Sequence, residues 1–357
     1  MALVSFCVAV GEVVSVLLAA ASHLGTVGMI AAILAGDTVG LAVGFFAVRK
    51  ALLWPSAALH KGRMDKEFRR IRKFSWTVSY VLILNAVVWQ RSEVLFLKWF
   101  SSLPQIAFYS IAFALAGKLS DIANVCTGTL MPLSSEAYGR SGLTDLRAIY
   151  TSGLKYIQMG IVPLVLFGIV LSRPAVRLVY GECYLPLVPV LQILLATVAV
   201  TTMGGVASAL VYATDKQAFI AKFGTAVALL NILMDLIFIP RFGAIGAAIA
   251  NGGTQVLAVV VGLVYTKSIL SSPFPLTDTA RIYAAALLAM TPVLFASLTT
   301  AKLGYLLVVA FGAFVYIVAL VAMGAVGSSE ASFLRKNILT RLQAKPVGLI
   351  AVEKDSF

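Results

Sequence analysis

Long apolar runs follow one another along this chain with little between them, and their spacing constrains the fold more than any other feature. Windows long enough to cross about 30 Å of hydrocarbon fall near 2–22, 26–48, 74–97, 104–128, 154–172, 184–212, 218–239, 243–267, 281–301 and 303–326. Lipid offers no hydrogen bonds to peptide groups, so such runs are expected to be helices. Apolar residues make up 60% of the 357 positions, charged residues 12%, and the mean hydropathy is +0.96. These values exclude an ordinary soluble domain. The expected class is an all-α integral membrane protein of about ten transmembrane helices. The stretch LLAAASHLG near the start looks like a signal-peptide cleavage site, but no Lys or Arg precedes it and Glu12 sits within the apolar run. It reads as a retained helix.

The formal charge is +13, yet the basic residues sit in short links between spans rather than in a groove interleaved with aromatics. That distribution points to topology and anionic lipid headgroups, not to nucleic acid. Arg49 to Lys73 carries nine Lys or Arg and is assigned to the cytoplasm by the positive-inside rule. Alternating outward from it places 21 basic residues inside and 5 outside (Lys98, Arg173, Arg177, Arg241 and Lys302), with both termini cytoplasmic. The tail segment FLRKNILTRL, 333–342, carries apolar and basic positions suited either to the headgroup plane or to a solvated tail.

An internal repeat sets the architecture. Phe242 to Leu270 reads FGAIGAAIANGGTQVLAVVVGLVYTKSIL, and Leu24 to Leu52 reads LGTVGMIAAILAGDTVGLAVGFFAVRKAL at a constant offset of 218 residues. Gly25, Gly28 and Gly44 fall on Gly243, Gly246 and Gly262, and Arg49 falls on Lys267, without a gap. In each copy a glycine turn feeds an apolar helix that ends in a positive charge. The two hairpins lie six spans apart, so the copies share one orientation, a plan known for transporters. The expected organisation is 1–52, the last two helices of an N-terminal lobe; 53–73, a basic cytoplasmic loop; 74–270, a six-helix C-terminal lobe; 271–328, an appended hairpin; and 329–357, a basic cytoplasmic tail. Four helices of the first repeat are then missing, so either the chain is truncated or its start lies upstream.

Polar side chains at mid-membrane are functional hypotheses by default. Counting inward from the span ends singles out Glu12, Asp37, Asn85, Lys118, Asp121, Asn231 and Gln255. Lys118 and Asp121 share a helix face at i, i+3, so they form either a structural ion pair or a cation held in a cavity by an acid. Glu12 and Asp37 either bond helix to helix or bind a coupling proton or sodium ion. Arg91 and Glu93, flanked by Trp89 and Trp99, read as lying nearer the outer face, with Arg91 either an anchor or a phosphate contact. Asp235, shortly before Pro240 and Arg241, reads as interfacial. Cys7, Cys126 and Cys183 are scattered, and the two histidines, His23 and His60, sit at span ends. No metal site, cofactor or histidine catalysis is expected from them. Pro132, Pro163, Pro186, Pro189 and Pro292 permit helix bending.

RSEVLFLKWFSSLPQIAFYSIAFALAGKLSD from Arg91 to Asp121, TLMPLSSEAYGR from Thr129 to Arg140, LVYGECYLPLVPVLQILL and IPRFGAIGAAIANG together resemble the polysaccharide and O-antigen flippases of the multidrug/oligosaccharidyl-lipid/polysaccharide exporter superfamily. The resemblance runs from about residue 70 to 270. It implies a partial two-lobe exporter fold with parallel six-helix repeats, lacking the first four helices. It also implies a transporter, not an enzyme, that moves a lipid-diphosphate-linked oligosaccharide across a bacterial or archaeal cytoplasmic membrane. The partners so implied are the lipid-linked glycan, anionic membrane lipids and other polysaccharide assembly proteins. On this reading Lys118, Arg91, Asn85, Asn231 and Gln255 contact substrate, while Glu12, Asp37 and Asp121 serve ion coupling. The alternatives are a drug or cation antiporter of the same superfamily, a membrane-embedded glycan polymerase or ligase, and a degenerate non-transporting fragment. A polymerase or ligase would need a sizeable outer loop carrying Arg or His, whereas the outer links here are short.

Overall fold

The computed structural model of the protein describes residues 61–271, 274–297 and 304–325, with isolated helical positions between 28 and 46. Glu12, Asp37, the first copy of the repeat as a whole and the 329–357 tail lie outside the described residues. The chain divides into two compact units, Met1–Arg72 and Lys73–Phe357, and everything that bears on the site lies in the second.

Each described element is a helix. α1 (Lys61–Leu84) passes through a five-residue π-helical turn (Asn85–Trp89) into α2 (Gln90–Phe100). There follow α3 (Leu103–Gly128), α4 (Leu130–Ser141) and α5 (Leu143–Val179), then a 3-10 turn (Glu182–Tyr184). The chain continues with α6 (Leu187–Ala213), α7 (Gln217–Leu270), α8 (Leu276–Ser297) and α9 (Gly304–Ala322). Five helical stretches among the described residues are long and apolar enough to cross a membrane: Ile71–Phe100, Leu103–Ser141, Leu143–Val179, Leu187–Ala213 and Gln217–Leu270. Bulky apolar side chains such as Trp76, Leu82, Leu103, Val125, Leu178 and Leu307 are exposed. Water would penalise such a surface, whereas lipid does not.

α7 is not one rod. A straight helix of its 54 residues would run about 80 Å at 1.5 Å per residue, far beyond the hydrocarbon core. Gly243 breaks it with φ 55° and ψ −129°, a backbone state that residues with a Cβ rarely adopt. The chain then doubles back so tightly that a Cβ on Gly246 would lie 2.2 Å from the carbonyl oxygen of Phe238. Thr254 Oγ1 donates to Asn231 Oδ1 across the hairpin at 2.6 Å. In a straight helix those two residues would be over 30 Å apart.

α6 is the central strut. It is apolar all round, as suits a helix surrounded by others, and packs against α3, α5 and α7. Leu187, Leu191, Leu194, Leu195 and Val198 fill that core. The α8–α9 pair forms a second cluster, with Ile282, Ala285, Ala289 and Tyr316 around Val162 of α5. The Tyr316 hydroxyl donates to the Met159 carbonyl at 2.8 Å. Pro163 and Pro174 lie inside α5, Pro240 just before the α7 reversal, and Pro292 inside α8.

Candidate functional site

Two features built by α1, α2, α3, α6 and α7 adjoin one another: a cluster of buried polar groups and a cavity. The cluster begins with the π-helical turn. One extra residue per turn rotates the following helix by about 100° relative to an uninterrupted α-helix. α2 thereby turns Ser92 and Glu93 inward, 7% and 1% exposed. The first arm of α7 supplies Asn231 and Asp235, one turn apart on one face and fully buried. Its second arm supplies Asn251 and Thr254, and the hairpin at Gly243 brings the two arms together.

Asn231 Nδ2 sits at the centre, 3.3 Å from Ser92 Oγ, 3.1 Å from Glu93 Oε1 and 3.2 Å from Asp235 Oδ2. Asn251 Nδ2 donates to the same Glu93 oxygen at 2.7 Å. Ser92 Oγ lies 2.7 Å from the Val88 carbonyl and 3.2 Å from Asp235 Oδ2. These contacts leave carboxylate acceptors over: Glu93 Oε2 and Asp235 Oδ1 accept no bond of good geometry among the described residues. Tyr109 is 1% exposed and lies close to both carboxyl groups. No ion pair involving Glu93 or Asp235 occurs among the described residues. Two buried carboxylates without a cation carry a desolvation cost of several kcal/mol each, which a proton or a small cation relieves. No group of three His, Cys, Asp or Glu residues suited to a metal occurs among the described residues. What the cluster offers is hard oxygen from carboxylates, amides and hydroxyls, the donor set of a hard cation.

The cavity encloses about 650 Å³ and is lined from α1, the π turn, α3, α6 and both arms of α7. Trp89, Phe113, Tyr212 and Phe219 give it aromatic faces, and Asn85, Asn124, Ser208 and Gln255 give it amides and a hydroxyl. Among the described residues that line it, Asp121 is the charged one and no Lys or Arg occurs. Cluster and cavity meet at Asn251, which lines the cavity and holds Glu93. Gln255, half-buried in the cavity wall, donates through Nε2 to Asn251 Oδ1 at 2.5 Å.

Residues 1–189 match a family described as polysaccharide biosynthesis protein. The chain belongs to that family. The match takes in residues 1–69, which the sequence resemblance, running from about residue 70 to 270, did not. Among solved structures, the lipid II flippase MurJ in an inward-closed conformation is similar, with a TM-score of 0.64 at 17% identity. The likeness covers 92% of this chain and 67% of that one, and it gives this polysaccharide biosynthesis protein a flippase fold. No curated protein matches the chain.

Within that fold the residues singled out from the sequence separate. Asn85, Gln255 and Asp121 line the cavity. Asn231 is withdrawn from it and anchors the buried cluster instead. Lys118 is 79% exposed, 3.5 Å from Asp121, and is not among the cavity-lining residues. Arg91 lies on α2, with its side chain outside the described residues, as are Glu12 and Asp37. Glu93, read as nearer the outer face, and Asp235, read as interfacial, both turn out to be buried in the protein. Depth counted from a span's end says nothing about which way a side chain faces. The signal available was the polar pair Asn231 and Asp235 at i, i+4, opposite Asn251, Thr254 and Gln255 on the next helix.

Proposed function

We propose that this membrane protein translocates a lipid-linked oligosaccharide across the cytoplasmic membrane, driven by a proton or cation taken up at Glu93 and Asp235. The observation that carries the reading is the cavity: aromatic faces, amides and hydroxyls, with no Lys or Arg among the described lining residues, set inside a flippase fold. Sugars present C–H faces to aromatic rings and hydroxyls to amides and carboxylates, so this wall suits the neutral glycan rather than its diphosphate. A volume of about 650 Å³ is of the size that holds a ligand of a few rings. Asp121, beside Asn85 and Gln255, accepts from sugar hydroxyls on this reading. Lys118, which does not line the cavity, and Arg91 remain candidates for the anionic linkage.

Asp121 together with the aromatic faces also fits an organic cation, so a drug antiporter is the second reading. Export separates the two. In cells whose surface polysaccharide depends on this protein, Asn124→Leu and Ser208→Leu are expected to cut glycan export at least tenfold at equal protein level. Resistance to quaternary ammonium dyes is expected to stay unchanged. Loss of dye resistance with normal glycan export establishes the antiporter instead.

A further inference from the structure

The cavity and the carboxylate cluster are joined by hydrogen bonds through Asn251, whose Nδ2 also lies 3.4 Å from the Trp89 carbonyl. Gln255 Nε2 donates to Asn251 Oδ1 at 2.5 Å, and Asn251 Nδ2 donates to Glu93 Oε1 at 2.7 Å. Asn251 is fully buried, whereas Gln255 is half-buried and faces the cavity. The direction of this file of bonds is set at its inner end, where Glu93 and the Trp89 carbonyl both accept from Asn251. Glu93, ionised, accepts only, so Asn251 must present its amide N–H₂ inward and its oxygen outward to Gln255. A cation in the cluster reverses the demand, because it seeks oxygen from Asn251 rather than N–H. Asn251 turned over would then present N–H₂ to Gln255, whose amide must turn as well, and would give up its long bond to the Trp89 carbonyl, a loss the cation offsets. Two orientations of two amides therefore match two states of the cluster. A bystander amide would not be held between a carboxylate and the cavity wall in this way.

We propose that Asn251 and Gln255 form a relay through which occupancy of the cavity sets the affinity of the Glu93–Asp235 cluster for its cation. The inference deepens the functional reading above and rests on the cluster binding a cation. A ligand that takes the amide N–H of Gln255 frees Asn251 to turn its oxygen toward Glu93 and raises cation affinity. By linkage, a bound cation strengthens ligand binding by the same factor. The cluster is more than a pair of acids: Glu93 Oε2 and Asp235 Oδ1 are buried without a donor of good geometry among the described residues, and the buried Tyr109 hydroxyl lies beside both carboxyl groups.

The test uses the full chain in lipid nanodiscs and follows the thermal unfolding midpoint as sodium chloride replaces choline chloride at constant ionic strength. The cavity is filled covalently: Ser208→Cys, in a chain with Cys7, Cys126 and Cys183 changed to Ser, is reacted with N-phenylmaleimide. Filling is expected to shift the sodium half-saturation about fivefold or more, the low end of ordinary coupling. In the isosteric Gln255→Met background the shift is expected to fall below about twofold, with the sodium response itself retained. An equal shift in both backgrounds, or none in either, overturns the relay while leaving the cation site standing. A midpoint that sodium does not move at all, or moves equally in Asp235→Asn, overturns the cation site and the relay with it.

Discussion

At the scale of single residues the structure separates groups that hold the fold from groups that await a ligand. Asn231 belongs to the first kind. Its amide serves Ser92, Glu93 and Asp235 and accepts from Thr254. Asn231→Leu, of similar volume, strands several of those groups at about 1–3 kcal/mol apiece. It is expected to lower the unfolding midpoint by 10 °C or more; an unchanged midpoint contradicts the network. Asp235 belongs to the second kind. Asp235→Asn removes one of two buried like charges while keeping its shape, so stability without added sodium is expected to hold or rise. Lys118→Ala breaks only an exposed ion pair, 79% and 64% accessible, of a type worth about 0–1 kcal/mol. Its unfolding midpoint is expected to stay within 2 °C of wild type, and a larger fall shows that the pair has a structural role.

Among the elements, α7 decides the most, because its reversal at Gly243 assembles the cluster. Gly246→Ala pushes a Cβ to 2.2 Å from a backbone carbonyl and is expected to yield little folded protein in fluorescence-detected size exclusion. Gly253→Ala, seven residues on in the same arm, meets nothing within 4 Å and is expected to be neutral or stabilising by up to about 1 kcal/mol. Equal behaviour of the two contradicts the hairpin geometry. The helices from 74 to 267 were legible because hydropathy reports lipid-spanning length directly, and the reversal was legible because Gly243 and Gly246 mark a tight turn. The cluster was not. Glu93 meets Asn231 and Asn251 across 138 and 158 residues, and no local period records such a meeting. The π-helical turn at 85–89 hid it further, since it breaks the 3.6-residue phase from which the facing of Glu93 would be counted. Asn85 and Gln255 drew notice as polar residues within apolar spans, and the structure sets both on the cavity wall.

For the whole molecule, the charge asymmetry of the sequence leads us to propose that the basic 53–73 segment and the 329–357 tail face the cytoplasm. Single cysteines at position 60 and in the tail, in a chain lacking the native three, are expected to resist membrane-impermeant maleimide from outside; external labelling reverses the topology. The central claim is that a glycan on a lipid crosses through this protein at the expense of a cation gradient. Its most direct test is the purified full chain in proteoliposomes carrying a fluorescent lipid-diphosphate-linked oligosaccharide, with leaflet transfer read by an impermeant quencher. The account predicts transfer above protein-free vesicles, accelerated by an imposed sodium or proton gradient and reduced at least tenfold by Asp235→Asn. Transfer equal to that of empty vesicles, or a rate indifferent to both the gradient and Asp235→Asn, contradicts it.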